Sequence, residues 1–322
     1  MVDAGADRSP LQRWTDALTV GSFRTGSALA GLLPGFVAEG LAAPIGLGAN
    51  FANPERRAMV ERHMRRVNPT WPNARIRRAV QGAFDSYTRY WIENLRLPSL
   101  PPRTIDAGLR LTGFSHVEDA LERGTGVILA LPHLGGWEWA GRWLADVGHR
   151  TTVVVERLDP PELFDWFVRW RSELGMTVVP LGPQAGSAVL GALRKNEIVC
   201  LLSDRDIQGG GIEVEFFGER TTLPAGPATL GLRTGAPIVP VGVYFTRQVN
   251  GHHAVVRPPL DATRNGSLRA DVARVTQALA RELEYLIRRA PEQWHLFQPN
   301  WPSDPGYPHR APSAAAATTP RR

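Results

Sequence analysis

The chain has 322 residues, 43% of them hydrophobic, which is enough to build one large domain or two small ones around a buried core. A formal charge of +6 and a pI near 10.2 favour acidic partners such as phosphate groups, coenzyme A or anionic lipid heads. The lone cysteine, Cys200, excludes an internal disulfide and cannot build a zinc cluster. It lies in the apolar run E-I-V-C-L-L-S, which predicts a buried, inert thiol and is consistent with a reducing compartment. Lys195 is the only lysine, so arginine supplies nearly all the basic charge. Genomic base composition accounts for such a bias, yet it also provides planar donors that match phosphate oxygens.

Residues 1–9 carry charge without an apolar run and read as a disordered start rather than a secretory signal. Residues 11–50 are apolar and rich in Gly and Ala, interrupted by Arg24, Pro34, Glu39 and Pro44. No uncharged run reaches the roughly 18–20 residues of a spanning helix. Two readings stand: an interfacial segment with Trp14, Leu18, Phe23, Leu32, Leu33 and Phe36 turned to the membrane, or a pair of helices packed on the core. Residues 55–78 then hold eight arginines against two acids, either a solvated face or a membrane-facing patch. No nucleic-acid-binding motif accompanies them. A helix follows over 73–94, with Ile76, Val80, Phe84, Tyr87 and Trp91 as its apolar stripe.

From residue 112 strands and helices alternate. Strands are expected at 126–131, 151–156, 177–181, 197–203, 213–217, 237–245 and 253–257. Helices are expected at 115–123, 137–147, 160–174, 185–195, 225–234 and 268–289. This is an α/β chain with a mixed, mostly parallel sheet flanked by helices and a helical, membrane-associating N-terminal segment. Residues 10–302 form one domain, mainly helical to 110 and α/β from 111. The Pro-, Ala- and Ser-rich residues 303–322 read as a disordered tail.

The chemistry concentrates at G126-V-I-L-A-L-P-H-L-G-G-W-E-W-A-G141, which reads as strand, tight turn and helix. On a continuous helix His133 and Glu138 would face roughly 140° apart. On a turn loosened by Gly135 and Gly136 they can converge, the carboxylate fixing the tautomer of a general-base imidazole. The plainer alternative is a loop histidine beside an unrelated helical acid. The run E197-I-V-C-L-L-S-D-R-D206 is a buried strand ending in an acid–base–acid triplet. Ligands of open α/β sheets sit at the carboxyl ends of strands, so Asp204 could lie near His133. Its alternative is a loop salt bridge involving Arg205. Thr222, Pro224, Gly226 and Pro227 form a turn into a helix whose N–H groups suit an oxyanion, or are simply capped. Arg157, Arg169 and Arg171 surround the second strand and its helix.

The order of these blocks carries a resemblance. A-L-P-H-L-G-G-W-E, V-V-E-R, R-S-E-L-G, S-D-R-D, V-E-F-F-G-E-R-T-T-L-P-A-G-P-A, R-T-G-A-P-I-V-P and W-H-L-F-Q-P-N-W follow one another. Together they resemble the bacterial acyltransferases that acylate lipid A and related glycolipids, most nearly the actinobacterial phosphatidylinositol mannoside acyltransferases. The resemblance covers about residues 80–302. It implies transfer of a long acyl chain from acyl-CoA, a co-substrate rather than a cofactor, to a mannose hydroxyl of a glycolipid. It implies His133 as base, Glu138 as its partner, Asp204 as a second acid and Arg171 as an acyl-CoA contact. Arg157, Arg205, Gly210 and Arg233 are further candidate substrate contacts. Those enzymes usually carry Asp where Glu138 stands, Glu where Asp204 stands and an acid where Arg233 stands, which bears on the acceptor more than on the reaction.

Three rival functions remain on sequence alone. One is a metal-dependent hydrolase using His133, Glu138, Asp204 and Asp206, although no H-E-x-x-H motif is present. Another is a non-catalytic protein bound to an anionic membrane surface. The third keeps the acyltransferase and changes the acceptor to another lipid or a lysophospholipid. No G-x-S-x-G elbow suggests a covalent intermediate. The expected location is peripheral, on the cytoplasmic face of the plasma membrane, with no metal and no nucleic acid.

Overall fold

The computed structural model describes residues 31, 33–157 and 161–308. The expectations for Trp14, Leu18, Phe23, Leu32 and residues 309–322 lie outside them. A helical layer comes first, with α1 (Gly35–Ala52), α2 (Pro54–Val67), α3 (Asn73–Arg96) and the short α4 (Pro102–Ala107). The α/β part follows as β1 (Leu109–Thr112), α5 (Ser115–Glu122), β2 (Val127–Leu131), α6 (Trp137–Asp146), β3 (Thr151–Val155), α7 (Pro161–Glu173) and β4 (Met176–Pro180). Next come α8 (Ala185–Arg194), β5 (Ile198–Leu202), β6 (Ile212–Phe216), β7 (Glu219–Leu223), α9 (Gly226–Thr234), β8 (Ile238–Phe245), β9 (His252–Val256) and α10 (Leu268–Arg289).

Seven strands form one sheet in the order β1-β9-β8-β2-β5-β3-β4, with only β8 and β9 antiparallel. Its central strands are apolar on both faces because helices cover both. In β2, Val127, Leu129 and Leu131 pack with Val117 of α5 and Leu144 of α6. Ile128 and Ala130 face the other way, towards Val189 of α8, Leu232 of α9 and Leu279 of α10. The segment 213–217, expected beside the sheet, instead pairs with β7 in a separate antiparallel hairpin. Its sequence I-E-V-E-F explains this, since Val214 and Phe216 are buried while Glu213 and Glu215 are exposed. Such a strand has one face for the core and one for water. Phe217 (φ 52°) and Gly218 (φ 76°) make the positive-φ turn that a two-residue hairpin needs.

Helix α1 packs on α3 in an unusual way. Its buried residues are the small Ala38, Ala42 and Gly46, and a Cβ on Gly46 would come within 2.8 Å of the Asp85 Cα. The large apolar side chains turn outward instead, with Phe36 68% and Phe51 73% exposed, and Leu41, Ile45 and Leu47 exposed too. No helix among the described residues is long and apolar enough to cross a membrane.

Part of the arginine cluster does structural work. Arg66 pairs with Asp304 at 2.6 Å and with Glu219 at 2.7 Å, and Arg65 pairs with Glu61. Asp304 also accepts from the backbone N–H groups of Asn300 and Trp301 and faces the buried His63 ring. Composition placed residue 303 in a tail, yet Ser303 and Asp304 are tied to α2 and β7 by Arg62, Arg66 and Glu219. Hydrophobicity alone misses such an anchor because every group in it is polar.

Candidate active site

Parallel neighbours β2 and β5 run in matched register, Leu131 opposite Leu202, and the Ser203 N–H donates to the Leu131 carbonyl at 2.7 Å. His133 and Asp204 each lie two residues beyond these strand ends, so the register itself brings them together. His133 Nδ1 is 2.7 Å from Asp204 Oδ1, and the His133 backbone N–H donates to Asp204 Oδ2 at 3.0 Å. The Trp294 indole N–H also donates to Oδ2, at 2.7 Å. Burial alone would raise the Asp204 carboxyl, but the His133 charge and the hydrogen bonds from His133 and Trp294 outweigh it and hold the group below the usual carboxylate range. An ionised Asp204 puts the imidazole proton on Nδ1 and leaves Nε2 as an acceptor. The histidine ring is 23% exposed and the aspartate side chain is fully buried.

The turn after His133 requires both of its glycines. Gly135 has φ +60°, and a Cβ there would meet the Val243 carbonyl at 2.1 Å. A Cβ on Gly136 would run into the His252 ring at 2.5 Å.

Glu138 does not fill the place expected of it. It sits in the first turn of α6, buried, with its carboxylate turned to α7. Arg171 donates to it through Nε at 3.0 Å and Nη2 at 2.5 Å, and the Tyr90 hydroxyl approaches at 3.4 Å. The helix begins at once after Gly136, and this carries Glu138 away from the strand end. The carboxylate that orients His133 is therefore Asp204, and Glu138 holds Arg171.

A cavity of about 480 Å³ opens in front of this pair. Tyr87, Tyr90, Trp137 and Phe167 give it aromatic walls, and Val155 and Leu201 add aliphatic ones. His133, Arg171, Arg205 and Gly210 line it, together with the start of α9 at Ala225–Pro227. Two expected contacts lie elsewhere. Arg157, just beyond the end of β3, lines a smaller pocket with Gln184 and Ala185 instead. Arg233 is exposed near the far end of α9, roughly 10 Å along the axis from the turn that faces the cavity.

Asp206 accepts from the Gly209 and Gly211 N–H groups and the Thr222 hydroxyl, pinning the loop that carries Gly210. With Asp206 and Glu138 so engaged, the four side chains of the hydrolase reading do not converge. Among the described residues no group of three His, Cys, Asp or Glu is placed to hold a metal ion. Cys200 lies within β5, its thiol pushed up to about 12 by burial, with the Glu138 charge adding to the shift.

Two residues of the site were missed by sequence reasoning. Buried His295 lines the cavity and bonds Ser86 Oγ through Nε2 at 2.9 Å, while its buried Nδ1 has no partner among the described residues. Burial, with the His133 charge second, pushes it down to about 3, so it is a neutral ring. Trp294 is the other. Both lie in W-H-L-F-Q-P-N-W, a block without strand or helix periodicity, and only its order among the other blocks marked it.

The family of bacterial lipid A biosynthesis acyltransferases matches residues 7–303. The chain belongs to this family. It is 41% identical over 234 residues to a phosphatidylinositol mannoside acyltransferase of Mycobacterium tuberculosis (strain ATCC 25618 / H37Rv), covering 71% of this chain and 72% of the relative. It is 37% identical over 289 residues to the protein of that name from Mycolicibacterium smegmatis, covering 88% of this chain and 91% of the relative. In this acyltransferase the shorter acid, Asp204, reaches His133 directly, and the longer one, Glu138, reaches across to α7.

Proposed function

We propose that this acyltransferase moves a long-chain acyl group from acyl-CoA to a mannose hydroxyl of a phosphatidylinositol mannoside. The observation that carries the reading is the His133–Asp204 pair, its Nε2 free to accept at the mouth of an aromatic cavity. His133 Nε2 takes the hydroxyl proton as the sugar oxygen attacks the thioester carbonyl. The new C–O bond forms, the tetrahedral centre collapses, and the C–S bond breaks. The coenzyme A thiolate leaves and receives the proton from Nε2–H. Asp204 stabilises the imidazolium in between. Arg205 supplies positive charge to a phosphate-bearing donor, while Arg171, paired with Glu138, lines the cavity beside it. Product mass spectrometry of purified protein, acyl-CoA and a panel of glycolipids should give the acylated mannoside and free coenzyme A in equal amounts. Acylation of a lysophospholipid in preference to every mannoside would favour the alternative acceptor. Activity that vanished on exhaustive chelation would favour the metal hydrolase.

The same reading places the protein at the cytoplasmic face of the plasma membrane, held peripherally. The outward Phe36, Ile45 and Phe51 of α1 support it, because burying a phenylalanine is worth roughly 1.5–3 kcal/mol. Exposed Arg56, Arg77 and Arg78 add attraction to anionic lipid. Reversing Arg62, Arg65 and Arg66 is a poor probe, since Arg62 and Arg66 hold Asp304. Phe36→Ser with Phe51→Ser tests the idea better. Vesicle flotation of the wild type should favour anionic over neutral lipid, and the double variant should bind at least about tenfold more weakly. A wild type that fails to float, or a variant that floats equally well, contradicts membrane attachment.

A further inference from the structure

We propose that Trp294 is a positioning residue for the His133–Asp204 pair, its indole N–H holding the buried carboxylate so that Oδ1 stays on the imidazole. The consequence for catalysis rests on His133 being the base. The consequence for the pair itself does not.

Asp204 is fully buried and carries three hydrogen bonds at its carboxylate. Two come from His133. The third comes from Trp294, which among the described residues is the one donor from outside the histidine loop. A buried carboxylate that loses a donor is less stable as an anion, because no water replaces the bond. The origin of the ring is equally telling. Gln293–His295 runs beside the histidine turn and is bonded to it in both directions. The Gly135 N–H donates to the Gln293 carbonyl at 2.9 Å, and the His295 N–H donates to the His133 carbonyl at 2.7 Å. Leu134 and Trp294 form the bridge between them. The indole is therefore fixed relative to the backbone of the histidine whose partner it holds.

Packing alone does not account for a tryptophan here. The ring is 1% exposed among Phe216, Phe217, Trp301 and His63, where phenylalanine would also fill an apolar site. Trp301 belongs to the same cluster and is also fully buried, but its N–H goes to the Phe216 carbonyl. It is thus a matched control, equal in bulk and in indole bonding, without contact to Asp204.

Tyr87, Tyr90, Glu156 and the Glu138-paired Arg171 share the cavity with His133. His295 is neutral, His63 is paired with Asp304, and Arg205 and Asp206 follow Asp204 on the cavity side. With Asp204 ionised and His133 neutral the pair carries one negative charge, and the indole N–H stabilises that form. Removing it makes the pair take up a proton more readily, so its apparent pKa rises.

The test compares Trp294→Phe, Trp301→Phe and the wild type in the full chain. A variant with benzothienylalanine at position 294 replaces only the N–H by sulfur and covers the case in which Trp294→Phe does not fold. The His133 ring is titrated by NMR, with His133→Ala assigning its signal, and kcat and KM are followed against pH. The expected result is an upward displacement of the His133 NMR titration curve relative to the wild type on loss of the 294 N–H. The acid limb of kcat should move with it while KM changes little. Trp301→Phe should lose stability and leave the titration in place. A folded Trp294 variant that titrates like the wild type overturns the proposal. A shifted titration with an unmoved acid limb supports the positioning role and instead refutes His133 as the base.

Discussion

His133→Ala should lower acyl transfer by about 10²–10⁴-fold, the usual worth of a positioned general base, and leave the protein folded. The ring stands at a cavity wall and is partly exposed, so its loss opens little void in the core. The Asp204 carboxylate keeps two donors, the backbone N–H of residue 133 and the Trp294 indole. Circular dichroism and the unfolding midpoint should therefore match the wild type while turnover collapses. Near-normal turnover in a folded variant would remove His133 from the chemistry. Glu138→Gln should be the milder lesion for turnover, because its carboxylate meets Arg171 rather than the imidazole.

The largest expected loss of stability lies at that second pair. Glu138 is 3% exposed and Arg171 15% exposed, and their bond joins α6 to α7. Removing one partner of a buried ion pair strands the other charge, which costs about 3–5 kcal/mol. Arg171→Met should show this in denaturant unfolding, with Tyr90 left as a weak partner for Glu138. Adding Glu138→Gln should return much of the loss, since no uncompensated charge then remains. Strict additivity of the two changes would mean that the pair is not coupled in the folded protein.

How far the site could be read in advance depended on which distances the chain keeps local. H-L-G-G between an apolar run and a helical run predicts a strand, a tight turn and a helix, and β2 and α6 fall where that pattern puts them. The rule that ligands gather at strand ends allowed Asp204 to lie near His133, with a loop salt bridge through Arg205 as the alternative. The choice of carboxylate was not local. It is decided by the pairing of Leu131 with Leu202 and by the direction in which α6 leaves Gly136. Glu138 is five residues from His133 and turns away, whereas Asp204 is 71 residues off and touches it. Trp294 and His295 are more distant still in sequence, and a block without period offers nothing to read. Helix α1 was ambiguous for a different reason. Its small residues face the protein and its large ones face out, so an apolar sequence alone does not show which face is buried.

Direct transfer from thioester to sugar is the centre of the account, and labelling tests it most directly. The wild-type protein is incubated with acyl-labelled acyl-CoA alone, denatured, and analysed by intact-protein mass spectrometry, then again with a mannoside acceptor present. The Cys200 thiol, partly buried within β5 and pushed up to about 12, is a poor nucleophile, and the proposed role of His133 is that of a base rather than an acyl carrier. The protein mass should stay unchanged in both samples, with label passing to the glycolipid only when acceptor is added. Stoichiometric acylation of Cys200, or of any serine, that is discharged by the acceptor would contradict direct attack and require a covalent intermediate.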